Sequence, residues 1–233
     1  MSDLFPGSEK LVQGSAPRQL FLLVGPPGCG KTTFLHQFMY DRLSEGLPCL
    51  HVITDFSPDM AVENFRYLGF DVSGYVKEGL LRFVDCYSGH ANLTSSSPYV
   101  VDPANVTDLS IMIEQAKKGL DKMCIVLDSI TTLAIDAGLN ATRDFMLVSM
   151  ARMRQAGCLS LCALDIGVLE ETFVNFLRSH FDGVLEMKLE ETEKGEISRF
   201  LRVFSIKMAK YSTRWAKIEI GERGILVSPT YLL

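Results

Sequence analysis

The sequence predicts an α/β fold, a mostly parallel sheet with helices on both faces that finishes in antiparallel strands. Three observations lead there. Leu20, Phe21, Leu22, Leu23 and Val24 form an unbroken apolar run that stops at a glycine-rich stretch, the pattern of a strand covered on both faces. Strand-like runs then alternate with segments of helical periodicity as far as residue 164. From Asp182 onward, strand-like runs follow one another with only turns between them.

Each element can be justified in order. Beyond the first strand and its loop, Phe34, Leu35, Phe38, Met39 and Leu43 recur at helical spacing, and Gly46, Leu47 and Pro48 end that helix. Residues 49–54 read as a strand, residues 57–68 as a helix opened by Ser57, Pro58 and Asp59, and residues 80–86 as the next strand. Residues 88–103, around Ser95, Ser96, Ser97 and Pro98, lack periodicity and are expected to form a long surface loop. Helix 106–120, strand 124–127, helix 140–156 and strand 158–164 complete five βα units. Residues 183–189, 200–207, 215–220 and 225–227 read as hairpin strands, with turns expected at residues 190–196 and 221–224. Residues 1–233 are read as one domain, with residues 1–17 at its periphery because they are polar and carry Pro6, Gly7, Gly14 and Pro17.

Composition narrows the function classes. A net charge of -5 gives no long-range attraction for nucleic acid, so DNA is not expected as a partner. Cys29, Cys49, Cys86, Cys124, Cys158 and Cys162 sit mostly within apolar runs and read as free thiols in a reducing cytoplasm. Cys158 and Cys162 are four residues apart but lie on a strand with no second Cys/His pair, which argues against zinc. The first 18 residues carry no signal-peptide pattern, and no apolar stretch approaches the ~20 residues that cross a bilayer, so no membrane is expected.

The chemistry is concentrated after the first strand. Gly25, Pro26, Pro27, Gly28, Cys29, Gly30, Lys31 and Thr32 spell G-x-x-x-x-G-K-T between a buried strand and a helix, which makes this segment, with Thr33 behind it, a phosphate cradle. The glycines let backbone N–H groups close on the phosphates, Lys31 reaches the β and γ phosphates, and the Thr32 hydroxyl ligates Mg²⁺. Cys29 has no role in this scheme, although a thiol beside the phosphates would make binding sensitive to alkylation.

Three aspartates end strands. Asp128, after Ile125, Val126 and Leu127, is placed to hold Mg²⁺ through water, or to cap the helix beginning near Ser129. Asp55 is the carboxylate at the end of the neighbouring strand, where a base for water belongs; capping the helix at Pro58 is the other role open to it. Asp165 ends the strand before it as a γ-phosphate sensor or as a plain loop residue. With no guanine-reading Asn-Lys-x-Asp motif in the chain, ATP is the expected nucleotide.

The cradle, Thr54-Asp55-Phe56-Ser57-Pro58, Leu127-Asp128-Ser129-Ile130-Thr131, Phe181-Asp182-Gly183-Val184, Lys207-Met208 and Ser212-Thr213-Arg214-Trp215 together resemble the RecA superfamily, and within it the KaiC-like ATPases, over residues 20–227. The resemblance implies a RecA-like P-loop NTPase core, ATP and Mg²⁺ as cofactors, and head-to-tail homo-oligomers with ATP at the subunit boundary. It also implies a regulatory role through a protein partner. Three departures stand out. Asp55 and Phe56 replace a pair of glutamates, which implies slow hydrolysis or a nucleotide-binding pseudo-enzyme. A Lys-x-Arg pair that faces the neighbour's γ-phosphate is reduced to Lys207 and Lys210, two residues that would otherwise be an exposed strand face. The glycine-rich segment ahead of the first strand is shortened to residues 6–12. A recombinase-type, DNA-dependent ATPase is the remaining alternative. The stretches after Asp128 and Asp165, read as channel loops, offer it almost no basic or aromatic residues.

Overall fold

A computed structural model describes residues 4–13, 20–120, 122–192, 195–222 and 224–231. The chain enters through a short helix, Ser8–Leu11 (α1), and a two-residue strand, Val12–Gln13 (β1). Leu20–Gly25 (β2) leads through the glycine loop into Lys31–Ser44 (α2), and Cys49–Ile53 (β3) leads into Pro58–Tyr67 (α3). Pro58 at the first helical position costs no hydrogen bond, and the Ser57 hydroxyl accepts from the Met60 N–H to cap the turn. Ser73–Lys77 (α4), Leu81–Asp85 (β4), Cys86–Ala91 (α5) and Val106–Lys117 (α6) follow. Next come Cys124–Asp128 (β5), Ile130–Ala137 (α7), Leu139–Gln155 (α8), Leu159–Asp165 (β6) and Glu171–His180 (α9). The chain ends in Gly183–Glu191 (β7), Ile197–Ile206 (β8), Lys210–Tyr211 (β9), Ala216–Gly221 (β10) and Gly224–Tyr231 (β11).

Among the described residues, nine strands make one sheet in the order β11-β10-β8-β7-β2-β6-β5-β3-β4, parallel from β7 to β4 and antiparallel from β7 to β11. This is the expected fold class. Alternate residues of β2 supply two separate cores: Phe21 and Leu23 pack with Phe34, Phe38 and Phe65 on one face. Leu20, Leu22 and Val24 pack with Ile113, Met150 and Leu177 on the other. That is why the run could not show alternation: both sides of the strand are buried. From β2 the chain steps out to β3 and β4, returns through β5 and β6, and crosses to β7 on the far side. The crevice at the carboxyl end of β2 is the switch point where such sheets hold ligands.

Several expectations needed correction. Residues 130–137 are the helix α7 rather than a channel loop; Ser129 caps it by accepting from the Thr132 N–H. Residues 171–180 form α9, whose Phe173, Val174 and Leu177 supply the buried stripe. The loop at 88–103 begins as α5 and is then tied to β4, where the Ser97 hydroxyl donates to the Phe83 carbonyl and the Asp85 N–H to the Tyr99 carbonyl. Part of residues 4–12 packs into the core. Phe5 is fully buried edge-on to Phe21, and a Cβ on Gly7 would lie 2.2 Å from a Val227 methyl. Residues 1–3 and 14–17 of that expected peripheral segment lie outside the described residues. So do Glu193 and Lys194 of the first expected turn and Arg223 of the second.

Candidate functional site

The glycine loop closes around left-handed backbone at Gly28 (φ 77°) and Gly30 (φ 104°), which an L side chain adopts only under strain. A Cβ on Gly28 would meet nothing within 4 Å, whereas a Cβ on Gly30 would strike Ile220 at 2.7 Å. Gly30 also starts α2, so the positive end of that helix faces the opening. Cys29 points the other way, into the core, and burial pushes its thiol pKa up.

Lys31 is buried on the first turn of α2. Its ammonium donates to the Gly25 carbonyl at 3.1 Å, the Pro26 carbonyl at 2.9 Å and the Asp165 carboxylate at 2.7 Å. The Thr32 hydroxyl donates to Asp128 at 2.8 Å. Thus the structure brings together four residues singled out in the sequence, because β2, β5 and β6 are neighbours that all end at this edge. Asp128 is 3% exposed and its pKa is pushed up to about 7. Burial is the main cause, with the Asp55 and Asp165 charges adding to it and the Thr32 bond and Lys31 opposing it.

Asp55 lies just past β3, the strand beside β5. Its Oδ1 accepts from the Thr132 hydroxyl at 2.5 Å and the Thr54 hydroxyl at 3.2 Å. Burial raises its pKa, and these bonds pull it back. Sequence reasoning missed the hydroxyl lattice around these acids. The Thr54 hydroxyl donates to the Asp128 carbonyl and accepts from the Ser129 N–H, across the cis Asp128–Ser129 peptide. The Thr131 hydroxyl accepts from the Asp165 N–H at 2.7 Å. The signal for α7 was available in Ser129 and Thr132, which have the spacing of a cap and its third helical residue.

Phe56, at the position of the second glutamate, turns inward and is 9% exposed. It meets the rings of His36 and His51 edge-on, each at 6.1 Å, while His36 also stacks on Phe65 at 4.2 Å. His36 Nε2 and both ring nitrogens of His51 are buried without hydrogen-bond partners. Burial lowers both pKa values, that of His36 to about 3.

Lys207 is at the other end of the sheet. Its N–H donates to the Asp182 carbonyl, and its ammonium lies 3.6 Å from the Asp182 carboxylate, next to the entry of β2. The six residues of β2 put roughly 17 Å between that point and the glycine loop, so Lys207 cannot serve its own chain's cradle. Lys210 lies in β9, which pairs with β1.

A parallel sheet of this order with a glycine loop, a buried lysine and a hydroxyl–aspartate pair at its switch point defines a P-loop nucleotide-binding domain of the RecA superfamily. The comparisons place it more closely. A family model described as "ATPase: KaiC" matches residues 5–231. The chain is 30% identical over 229 residues to a UPF0273 protein of Thermotoga maritima, covering 97% of this chain and 94% of that one. It is 33% identical over 228 residues to a UPF0273 protein of Methanopyrus kandleri, covering 96% and 90%. A crystal structure of a KaiC-like protein from Pyrococcus horikoshii superposes with a TM-score of 0.76 at 21% identity, covering 98% of each chain, which supports the fold alone. The chain belongs to the KaiC-type ATPase family, whose domain binds ATP. No helix among the described residues is long and apolar enough to cross a membrane.

Proposed function

We propose that this chain is a slow, Mg²⁺-dependent ATPase that works as a regulatory switch in the cytoplasm, by assembling with copies of itself and contacting a protein partner. The observation that carries the reading is the convergence of Lys31, Thr32, Asp128 and Asp165 on one glycine cradle. Residues 25–33 hold the phosphates of ATP. Lys31, now folded back on Gly25, Pro26 and Asp165, is charge-matched to them.

The residues suit Mg²⁺. The described residues contain no cluster of three or more His, Cys, Asp or Glu built for a metal. Mg²⁺ keeps most of its waters and is shared between phosphates and one or two protein oxygens, so Thr32 and Asp128 are sufficient. When bound, the ion neutralises charge on the phosphates. Asp55 takes the proton of the water, and Asp165 reads the γ-phosphate through its link to Lys31. Lys207 and Lys210 act from a neighbouring copy, a role that fits the position of Lys207 at the opposite edge of the sheet.

Phe56 favours a second reading, a pseudo-enzyme that binds ATP without turnover, because the second acid is replaced by a ring packed into the core. One experiment separates the two. The slow-ATPase reading expects Mg²⁺-dependent phosphate release that Lys31→Ala removes; equal release by that variant would overturn it. Tight ATP binding with no release by the wild type would leave the pseudo-enzyme.

A further inference from the structure

We propose that Thr132 is a positioning residue for Asp55: its hydroxyl, on the first turn of α7, fixes the carboxylate that accepts the proton of the attacking water. The inference rests on the reading of Asp55 as the base.

The hydroxyl protons around Asp55 can be followed one by one. Thr54 Oγ1 accepts from the Ser129 N–H at 2.7 Å, and its own proton is divided between the Asp128 carbonyl at 3.0 Å and Asp55 Oδ1 at 3.2 Å. Thr132 is placed differently. Its hydroxyl oxygen lies 2.5 Å from Asp55 Oδ1 and 3.4 Å from the Ser129 hydroxyl, and either of those two hydroxyls could donate to the other. A carboxylate only accepts, so the Thr132 proton goes to Asp55, and the Ser129 proton is left to serve Thr132 and Asp55. Ser129 is itself held, since it accepts from the Thr132 N–H as the cap of α7. A chain of hydroxyls thus runs from a helix cap to the candidate base, ending in the shortest bond that Asp55 makes.

The Thr132 and Thr54 bonds both land on Asp55 Oδ1, which restrains the carboxylate's rotation about its last single bond. Asp165 and Asp128 act on Asp55 only through space, so they leave that rotation open. A side chain one methylene shorter than glutamate has little freedom to correct a poor aim. A misplacement of about 1 Å costs as much as ~100-fold in rate. The hydroxyl is therefore worth more than its share of stability.

The test uses the full chain with Mg²⁺ and ATP. Thr132→Val keeps the shape and removes the donor; kcat should fall about 10- to 100-fold while KM and ATP affinity stay within about twofold. Thr132→Ser should restore most of the rate. Asp55→Asn should be slow alone, and adding Thr132→Val to it should cause little further loss, because the two residues act as one unit. Thr132→Val with wild-type kcat, or a full additional loss in the double variant, would overturn the positioning role while leaving Asp55 as the base. Asp55→Asn with wild-type turnover, or a wild type with none, would overturn the base assignment and the inference with it.

Discussion

At the carboxyl ends of the parallel strands, Asp55, Asp165 and Lys31 gather around Asp128; at the amino ends, Asp182 is met by Arg154 at 3.0 Å, Lys207 at 3.6 Å and the Leu20 N–H at 3.1 Å. The first cluster has three acids and one base, the second one acid and two bases. The second is closed on itself and partly wet: the Arg154 and Lys207 side chains are 43% and 54% exposed. The first is crowded and short of positive charge, with Lys31 and Asp128 buried, so Asp128 ionises only near neutrality. One edge is finished as folded, and the other is complete only with a ligand. Their opposite surpluses also suit the proposed head-to-tail contact between copies.

The largest expected effect sharpens that last point. Lys31→Ala disables a chain's own cradle, and Lys207→Ala should lower turnover on the order of 10²–10³-fold by removing a cation from the neighbour's phosphates. Mixing the two inactive variants should restore activity, to about a quarter of the wild type for random assembly, since each boundary needs one intact member of each kind. A mixture as inactive as its components would overturn the action of Lys207 across a subunit boundary.

The next effect concerns stability. Without nucleotide or metal, folded Asp128 keeps its proton up to about pH 7, whereas the unfolded carboxyl loses it near 3.8. Between those values the unfolded state binds fewer protons, so rising pH favours unfolding, and the penalty is complete above pH 7. Asp128→Asn retains an acceptor for Thr32 and avoids the buried charge. In EDTA at pH 8 it should be more stable than the wild type by about 2–4 kcal/mol, with the difference vanishing toward pH 4. Denaturant melts at both pH values measure this, and equal stability at pH 8 would mean that water already reaches the carboxylate.

At the other edge the signs reverse. Asp182→Ala takes the acceptor from the Leu20 N–H and should cost about 1–2 kcal/mol. Asp182→Asn keeps an acceptor and loses only exposed ion pairs, worth about 0–1 kcal/mol. Neither should change ATP affinity measured on the isolated chain; a shift there would mean that the two edges are coupled through β2.

The strands and the cradle were legible because each is written in consecutive residues: Leu20 to Val24 as a run, Gly25 to Thr32 as a motif, Asp128 at the end of a buried strand. What was not legible depends on residues far apart in the chain. Thr132 matters only because β5 lies beside β3, and Phe56 reads as a lost acid until His36 and His51 show where it is buried. α9 was hidden for another reason. Its stripe is three residues, Phe173, Val174 and Leu177, in a segment that otherwise reads as a loop. Phe5 and Gly7 were placed at the periphery by composition, yet the Gly7 backbone comes too close to Val227 for any side chain.

The smallest expected effect is at Cys29, where the sequence placed a thiol beside the phosphates. A Cβ on Gly25 would lie 2.7 Å from Cys29 Sγ, so the sulfur fills the space that glycine leaves beneath the loop. Lys31 lies 3.8 Å from that sulfur and draws its pKa down, but burial outweighs the charge and keeps the group a thiol. Alkylation proceeds through the thiolate and needs access, and Cys29 has neither while the loop is closed. If opening the loop costs about 3 kcal/mol, iodoacetamide should modify Cys29 at least ~100-fold more slowly in the native protein than in urea, and ATP binding should survive the treatment. Peptide mapping measures the rate at this one cysteine. Native labelling at the free-thiol rate would show that the cradle opens readily without its ligand, and that its closed shape is made by the nucleotide rather than by packing.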